Sequence, residues 1–243
     1  MSDRFDPYCG PAPAPGTLWQ SWNFDPPLLA GLALFSALLL WRAGRTQKGA
    51  GLIAVAALFV AFVSPLCAMT VALFSVRSAH HLLLITLAAP ALAVAWPILA
   101  RRLPAGLSLA VLSGAMVAWH VPAIYDAIWR SDGLYWLMQA AMLLPAWAFW
   151  SAVLAPAPAG DEALRRAVLI GGLAGVMGFL GAILTFAPSI LYFQHVEGAV
   201  AWGLDPLVDQ QLAGLVMWVP GFLPVAVIAA GMLWQGWRRG FAA

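Results

Sequence analysis

Histidine, methionine, cysteine and aspartate recur in this chain at spacings that suit metal chemistry. Met116 and His120 are four positions apart, so on a helix a thioether and an imidazole share one face. Arg77 and His81 share a face in the same way, while His80 points elsewhere on the helix. Soft sulfur with neutral imidazole suits Cu(I), whereas calcium or magnesium would want hard oxygen ligands. The plainer readings stand beside these. Met116 packs in a core, the histidines cap a helix end or meet lipid headgroups, and Arg77 argues against a permanently bound cation next to His81.

Three further groups extend the set. Asp205 and Asp209 are four apart at the start of an apolar run. Helix capping accounts for Asp205, whereas Asp209 lies deeper and suits either a ligand role or the orientation of a histidine ligand. Asp126 follows Pro122 and Tyr125 just after His120. Cys67 is a soft copper ligand, a buried free thiol or the partner of Cys9; a free thiol is the simpler expectation, and spacing does not decide whether the two pair. Met138 and Met142 read as core. No glycine-rich phosphate loop, Cys-x-x-Cys, His-Glu-x-x-His or Gly-x-Ser-x-Gly is present, and nothing argues for an enzyme.

The elements that position these residues follow from composition. The 243 residues are 63% hydrophobic and 9% charged, against about 25% charged in soluble domains. This excludes most soluble folds and points to an integral membrane protein. The net charge of +2 gives no hint of a nucleic-acid partner. Apolar runs are too long for strands, and the alternation of an outer-membrane barrel is absent. The pattern predicts an all-α, polytopic transmembrane bundle of about seven spans, at 27–42, 51–69, 80–100, 105–121, 134–154, 167–190 and 207–235. Residues 1–243 form a single membrane domain, with 1–26 as a polar extracytoplasmic tail that lacks the pattern of a cleavable signal peptide.

The charges then set sidedness. Arg42, Arg45, Lys48, Arg101, Arg102, Arg165, Arg166, Arg238 and Arg239 fall on one side of the spans; only Arg4, Arg77 and Arg130 fall on the other. Positive-inside asymmetry places the first set in the cytoplasm, the N-terminus outside and the C-terminus inside. Eight of the ten acids lie on the outer side. So do all four tyrosines, largely as an ordinary aromatic belt, and all four histidines (His80, His81, His120 and His195), which topology alone does not demand.

Packing signals lie in the last two runs. Gly171/Gly175 and Gly178/Ala182 have the spacing that lets a neighbouring backbone approach. Gln210, Gly214, Met217 and Gly221 share one face, expected to be buried. Pro90, Pro97, Pro145, Pro188, Pro220 and Pro224 are expected to kink their helices.

Several stretches, in order, resemble the CtaG family of membrane proteins that assist assembly of caa-type cytochrome c oxidases. They are Trp22-Asn-Phe-Asp-Pro26, Ser64-Pro-Leu66, Leu73-Phe-Ser75 leading to His81-Leu-Leu-Leu84, Ala89-Pro90, Trp119-His-Val-Pro122 with Tyr125-Asp126, Thr185-Phe-Ala-Pro188 with Leu191-Tyr192, and Asp209-Gln-Gln-Leu-Ala-Gly214 with Met217-Trp218. The resemblance implies a multi-pass bacterial plasma-membrane protein acting in oxidase maturation, with copper supply on the outer side. It makes His81, His120, Asp126 and Asp209 the leading site residues. The family commonly has His-x-x-x-His before the Leu run of the third helix; here Arg77 takes the first position and His81 the second.

The leading expectation is a non-enzymatic assembly factor binding or delivering Cu(I) at the outer face. His81 and His120 would be ligands, with Met116, Cys67 or His80 assisting and Asp126 or Asp209 nearby. Its partners would be oxidase subunits, a soluble periplasmic copper donor and the lipid bilayer. Alternatives are a copper permease or resistance protein, a b-type haem protein, and a metal-free oxidase-binding scaffold. Met177 and Met217 are the only central soft ligands for a permease, and no histidine lies on the cytoplasmic side.

Overall fold

The computed structural model describes residues 7–98, 103–155 and 161–240. Asp3, Arg4, Asp6, Arg101 and Arg102, used above for sidedness, lie outside the described residues. All regular structure among those described is helical. Five helices are long and apolar enough to cross a membrane, or six if one bent pair counts as a single span. These are Arg45–Phe62, Phe74–Ala95, Asp132–Val153, Glu162–Thr185 and Pro206–Trp234, with Ala105–Trp119 and Pro122–Arg130 as the bent pair. The first expected span, α1 (Pro26–Arg42), is shorter at 17 residues. Its length of about 26 Å falls just under a hydrocarbon core of about 30 Å.

Local chemistry sets most boundaries. Asp25 opens α1: its carboxylate accepts the Leu28 N–H at 3.3 Å, and Pro26 and Pro27 occupy the first turn, where an N–H has no helical partner. The second helix, α2 (Lys48–Phe62), stops before Ser64-Pro65. The expected continuation to Met69 is instead a separate short helix, α3 (Leu66–Ala72). Ser64 Oγ accepts the Leu66 N–H at 3.2 Å there, as a turn-forming serine should.

The third expected helix also starts earlier than its apolar run. The helix α4 (Phe74–Leu82) begins six residues before His80 and continues through a widened π-helical stretch, Leu83–Ala88, into α5 (Ala89–Ala95). Pro90 lacks the N–H that would bond the Thr86 carbonyl, and the ladder relaxes just ahead of it. The Trp150 indole donates to the Ile85 carbonyl at 2.8 Å within this stretch. At 61% buried, Phe74–Ala95 is the innermost of the long helices.

The next two elements, α6 (Ala105–Trp119) and α7 (Pro122–Ala127), meet at a 79° bend. The break falls at His120 because Pro122 cannot continue the ladder. The remaining elements are α8 (Asp132–Val153), α9 (Asp161–Thr185), α10 (Val196–Ala201) and α11 (Pro206–Gly240). In the bundle α11 packs against α9 and α4, α6 against α8 and α9, and α5 against α2 and α8.

Glycine permits a close crossing of α9 and α11, but not at the expected pairs. A Cβ on Gly171, Gly175 or Gly178 would meet nothing within 4 Å. A Cβ on Gly214 would overlap the Gly181 carbonyl and Thr185, so α9 and α11 touch backbone to backbone at Gly181 and Gly214. The predicted buried face of α11 is present: Gln210, Gly214, Met217 and Gly221 are all buried. Gln210 also binds the loop before it, accepting the Leu191 N–H at 2.7 Å and donating to the Ser189 carbonyl at 3.1 Å.

The charged and aromatic residues segregate to two ends. At one end Arg42 lies 5.2 Å from the Trp96 ring, and Arg166 donates to the carbonyls of Val153 and Ala155 at the C-terminus of α8. The histidines and tyrosines gather at the other.

Candidate functional site

The histidine end is assembled by one carboxylate. Asp209 of α11 is 1% exposed and accepts the N–H groups of Phe74 at 2.7 Å and Ser75 at 3.3 Å, together with the Ser75 hydroxyl. It is therefore the N-cap of α4, supplied from another helix, and its negative charge faces the positive end of the α4 dipole. Its hydrogen-bond partners among the described residues are the backbone and serine groups of α4, with no histidine among them. Asp205 caps α11 as expected, accepting from Leu207 and Val208.

With α4 starting at Phe74, Arg77, His80 and His81 fall inside the bundle. Arg77 is 3% exposed. Its Nε donates to the Thr70 carbonyl at 3.0 Å, and its guanidinium lies 5.6 Å from the Tyr125 ring and 5.4 Å from Trp129. Among the described residues it has no ion-pair partner; aromatic faces carry its charge instead. His80 turns toward α2, with its ring 5.4 Å from Phe62, and neither ring nitrogen has a hydrogen bond. His81 points to the interior with Nε2 buried and unpartnered. Its ring lies 5.8 Å from that of His80, and Arg77 is one helical turn before it on α4.

His120 sits at the break between α6 and α7. Its Nδ1 is 2.7 Å from the Met116 carbonyl. A carbonyl only accepts, so Nδ1 carries the proton and Nε2 keeps its lone pair. Met116 thus serves His120 through its backbone; its side chain is buried in the main core with Met138, Met142, Met177 and Met217.

His195, absent from the leading set, belongs to the same end. It is buried, and its Nε2 is 2.6 Å from the Tyr125 hydroxyl. Its Nδ1 is buried without a hydrogen-bond partner. Burial first, and then the Arg77 charge, push its pKa down to about 3. Burial likewise pushes the Tyr192 hydroxyl above its ordinary range. Phe74 is the hub of the surrounding aromatics, with ring centroids 4.0 Å from Tyr192, 5.4 Å from His195 and 5.7 Å from Tyr125. Tyr192 closes the group by donating to the His120 carbonyl at 2.7 Å. The only local signal for His195 was that it is the fourth outer histidine, just after Tyr192.

Two expected ligands are engaged elsewhere. Cys67 forms a disulfide with Cys9, with Cα atoms 5.3 Å apart, so it is not a free thiol and has no thiolate for copper. Asp126 lies at the exposed rim, paired with Arg130 and accepting from Gln194 at 2.9 Å. Among the described residues no three His, Cys, Asp or Glu side chains converge on a common metal position. What the fold gathers at this end is His81 with a buried, unpartnered Nε2, His120 with its Nδ1 anchored on Met116, and the buried Arg77.

The model of the cytochrome c oxidase caa3 assembly factor family matches residues 106–239, which contain His120, Tyr125, Asp126, His195 and Asp209; Arg77 and His81 lie before the matched stretch. No curated protein and no solved structure gives a match. The family match covers more than half of the sequence, and the chain belongs to the cytochrome c oxidase caa3 assembly factor family.

Proposed function

We propose that this chain is a non-catalytic assembly factor that holds Cu(I) transiently at the extracytoplasmic end of its bundle and passes it to cytochrome c oxidase. The observation that carries the reading is the His120 ring, whose Nδ1–H is anchored on the Met116 carbonyl so that Nε2 presents a lone pair. A hydrogen bond of this kind, from the ring nitrogen that does not bind the metal, fixes the tautomer of metal-binding histidines. His81, whose Nε2 is buried without a hydrogen-bond partner at the same end of the bundle, would supply the second imidazole nitrogen. Two neutral imidazoles fit a soft monovalent cargo that must leave again, and Arg77 beside them opposes tight retention of any cation.

The same reading places seven spans in the bacterial plasma membrane, with α1 as the short first span, the N-terminus outside and the C-terminus inside. A soluble periplasmic donor would load the pair, and the oxidase would unload it by ligand exchange. Titration with a Cu(I)-specific chelator in competition tests this: one Cu(I) per chain is expected, lost in the His81→Ala plus His120→Ala variant. Cells carrying that variant should lose oxidase activity.

One observation favours a second reading, a metal-free oxidase-binding scaffold: Arg77 already places a positive charge among His80, His81 and His195. No bound Cu(I), with normal oxidase in the double variant, would establish it.

A further inference from the structure

The sequence leaves one large feature unread. A cavity of about 440 Å³ runs between α1 and α8, walled by Leu32 and Phe35 of α1, Leu58 of α2, Leu92 of α5 and Leu143 of α8. Its walls are almost wholly apolar, and its volume lies within the range of small-molecule sites.

The shape selects the occupant. The cavity extends along α8 from Trp136 to Trp147, eleven residues or about 16 Å at the helical rise. That is the depth of one leaflet, half of a hydrocarbon core of about 30 Å. A volume of about 440 Å³ spread over that length is a long, thin space, the shape of an extended hydrocarbon chain.

One end is polar. Asp25 and Tyr8 line it, with Tyr8 donating to Asp25 Oδ2 at 2.7 Å. The same oxygen receives the Leu28 N–H, while Oδ1 takes no hydrogen bond from the described residues. Tyr8 is held in place by stacking 5.0 Å from Tyr135 and by the neighbouring Cys9–Cys67 disulfide. A carboxylate at the mouth of an apolar groove attracts an ammonium and repels a purely anionic head.

We infer that the α1–α8 groove binds one acyl chain of a phospholipid whose headgroup carries an ammonium, with Asp25 receiving that ammonium. The inference needs the chain to lie in a bilayer; it does not depend on copper. Gly31 lines the groove, and a Cβ there meets nothing within 4 Å, so a large side chain can fill the space without disturbing the helices.

The test uses the full chain in detergent, delipidated and incubated with vesicles of phosphatidylethanolamine and phosphatidylglycerol in equal amounts and with identical acyl chains. Native mass spectrometry should find one retained lipid per chain, favouring phosphatidylethanolamine by about threefold to fivefold, the size of one partly exposed ion pair. Gly31→Trp should abolish retention of both lipids. Asp25→Asn should keep retention but remove the preference. Helical circular dichroism and a thermal unfolding transition like that of the unaltered chain show that the variants are folded, and Leu32→Trp serves if Gly31→Trp is not. No retained lipid, a retained protein chain in its place, or undiminished retention in the filled groove overturns the site. Equal retention of the two lipids by the unaltered chain overturns the role of Asp25. None of these readouts involves Cu(I), so they stand or fall apart from the copper reading.

Discussion

The Asp209 carboxylate receives the Phe74 backbone N–H at 2.7 Å across 135 positions of sequence. The last long helix thereby starts the central one, and that start puts Arg77 and the His80–His81 pair inside the protein. Replacing Asp209 with Ala leaves the Phe74 and Ser75 donors unsatisfied in a buried site. We expect a loss of about 2–4 kcal/mol. Asp209→Asn, which keeps an acceptor, should lose about half as much. Unfolding in detergent measures both; an unchanged Asp209→Ala protein would contradict the capping role.

The disulfide separates two uses of Cys67. It closes a separation of 58 residues, which in the chain-entropy view stabilises by about 4 kcal/mol at most. Cys67→Ser should free the tail at Tyr8 and Cys9, detected as faster amide exchange there. It should leave Cu(I) binding unchanged, since no thiolate is removed. Loss of Cu(I) in that variant would mean that the reduced form is the working one.

The pH dependence should carry the signature of His195. Its folded pKa is pushed down to about 3, against an ordinary 6.5. The unfolded chain therefore takes up a proton first as pH falls. The stability from neutral His195 is complete above pH 6.5 and is lost progressively toward pH 3, at no more than about 1.4 kcal/mol per pH unit. His195→Gln should flatten the stability profile between pH 6 and pH 4. A variant profile parallel to that of the unaltered protein would remove His195 as the cause.

Two glycines of similar sequence context should behave oppositely. Gly214→Val drives side-chain atoms into the Gly181 carbonyl and Thr185 of α9, and should cost about 1–3 kcal/mol or more. Gly178→Ala meets open space and should gain a few tenths to about 1 kcal/mol from helix propensity. Thermal unfolding of the two variants, side by side, checks the crossing point.

Arg77 sets the hold on a cation. Arg77→His replaces a fixed charge with a second imidazole one helical turn from His81. Under the copper reading, Cu(I) affinity should rise by about tenfold, or ~1.4 kcal/mol. Competition with a Cu(I) chelator measures it, and a lower affinity would count against His81 as a ligand.

Much of this protein was legible locally. Charge scarcity and apolar run length alone predict helices that enter a membrane, because a helix satisfies its own backbone where water is absent. The clustering of histidines and tyrosines at one end follows from where each falls along its helix. The buried face of α11 follows from the 3.6-residue period, and the Asp205 cap from its place two residues before Leu207. Tertiary structure decided the rest. Cys9 meets Cys67, Gly181 meets Gly214, and Asp209 rather than the onset of hydrophobicity fixes where α4 begins. Each of these joins segments distant in sequence. Periodicity shows which face of a helix is buried; only packing between helices, which sets their relative height and rotation, shows what that face touches.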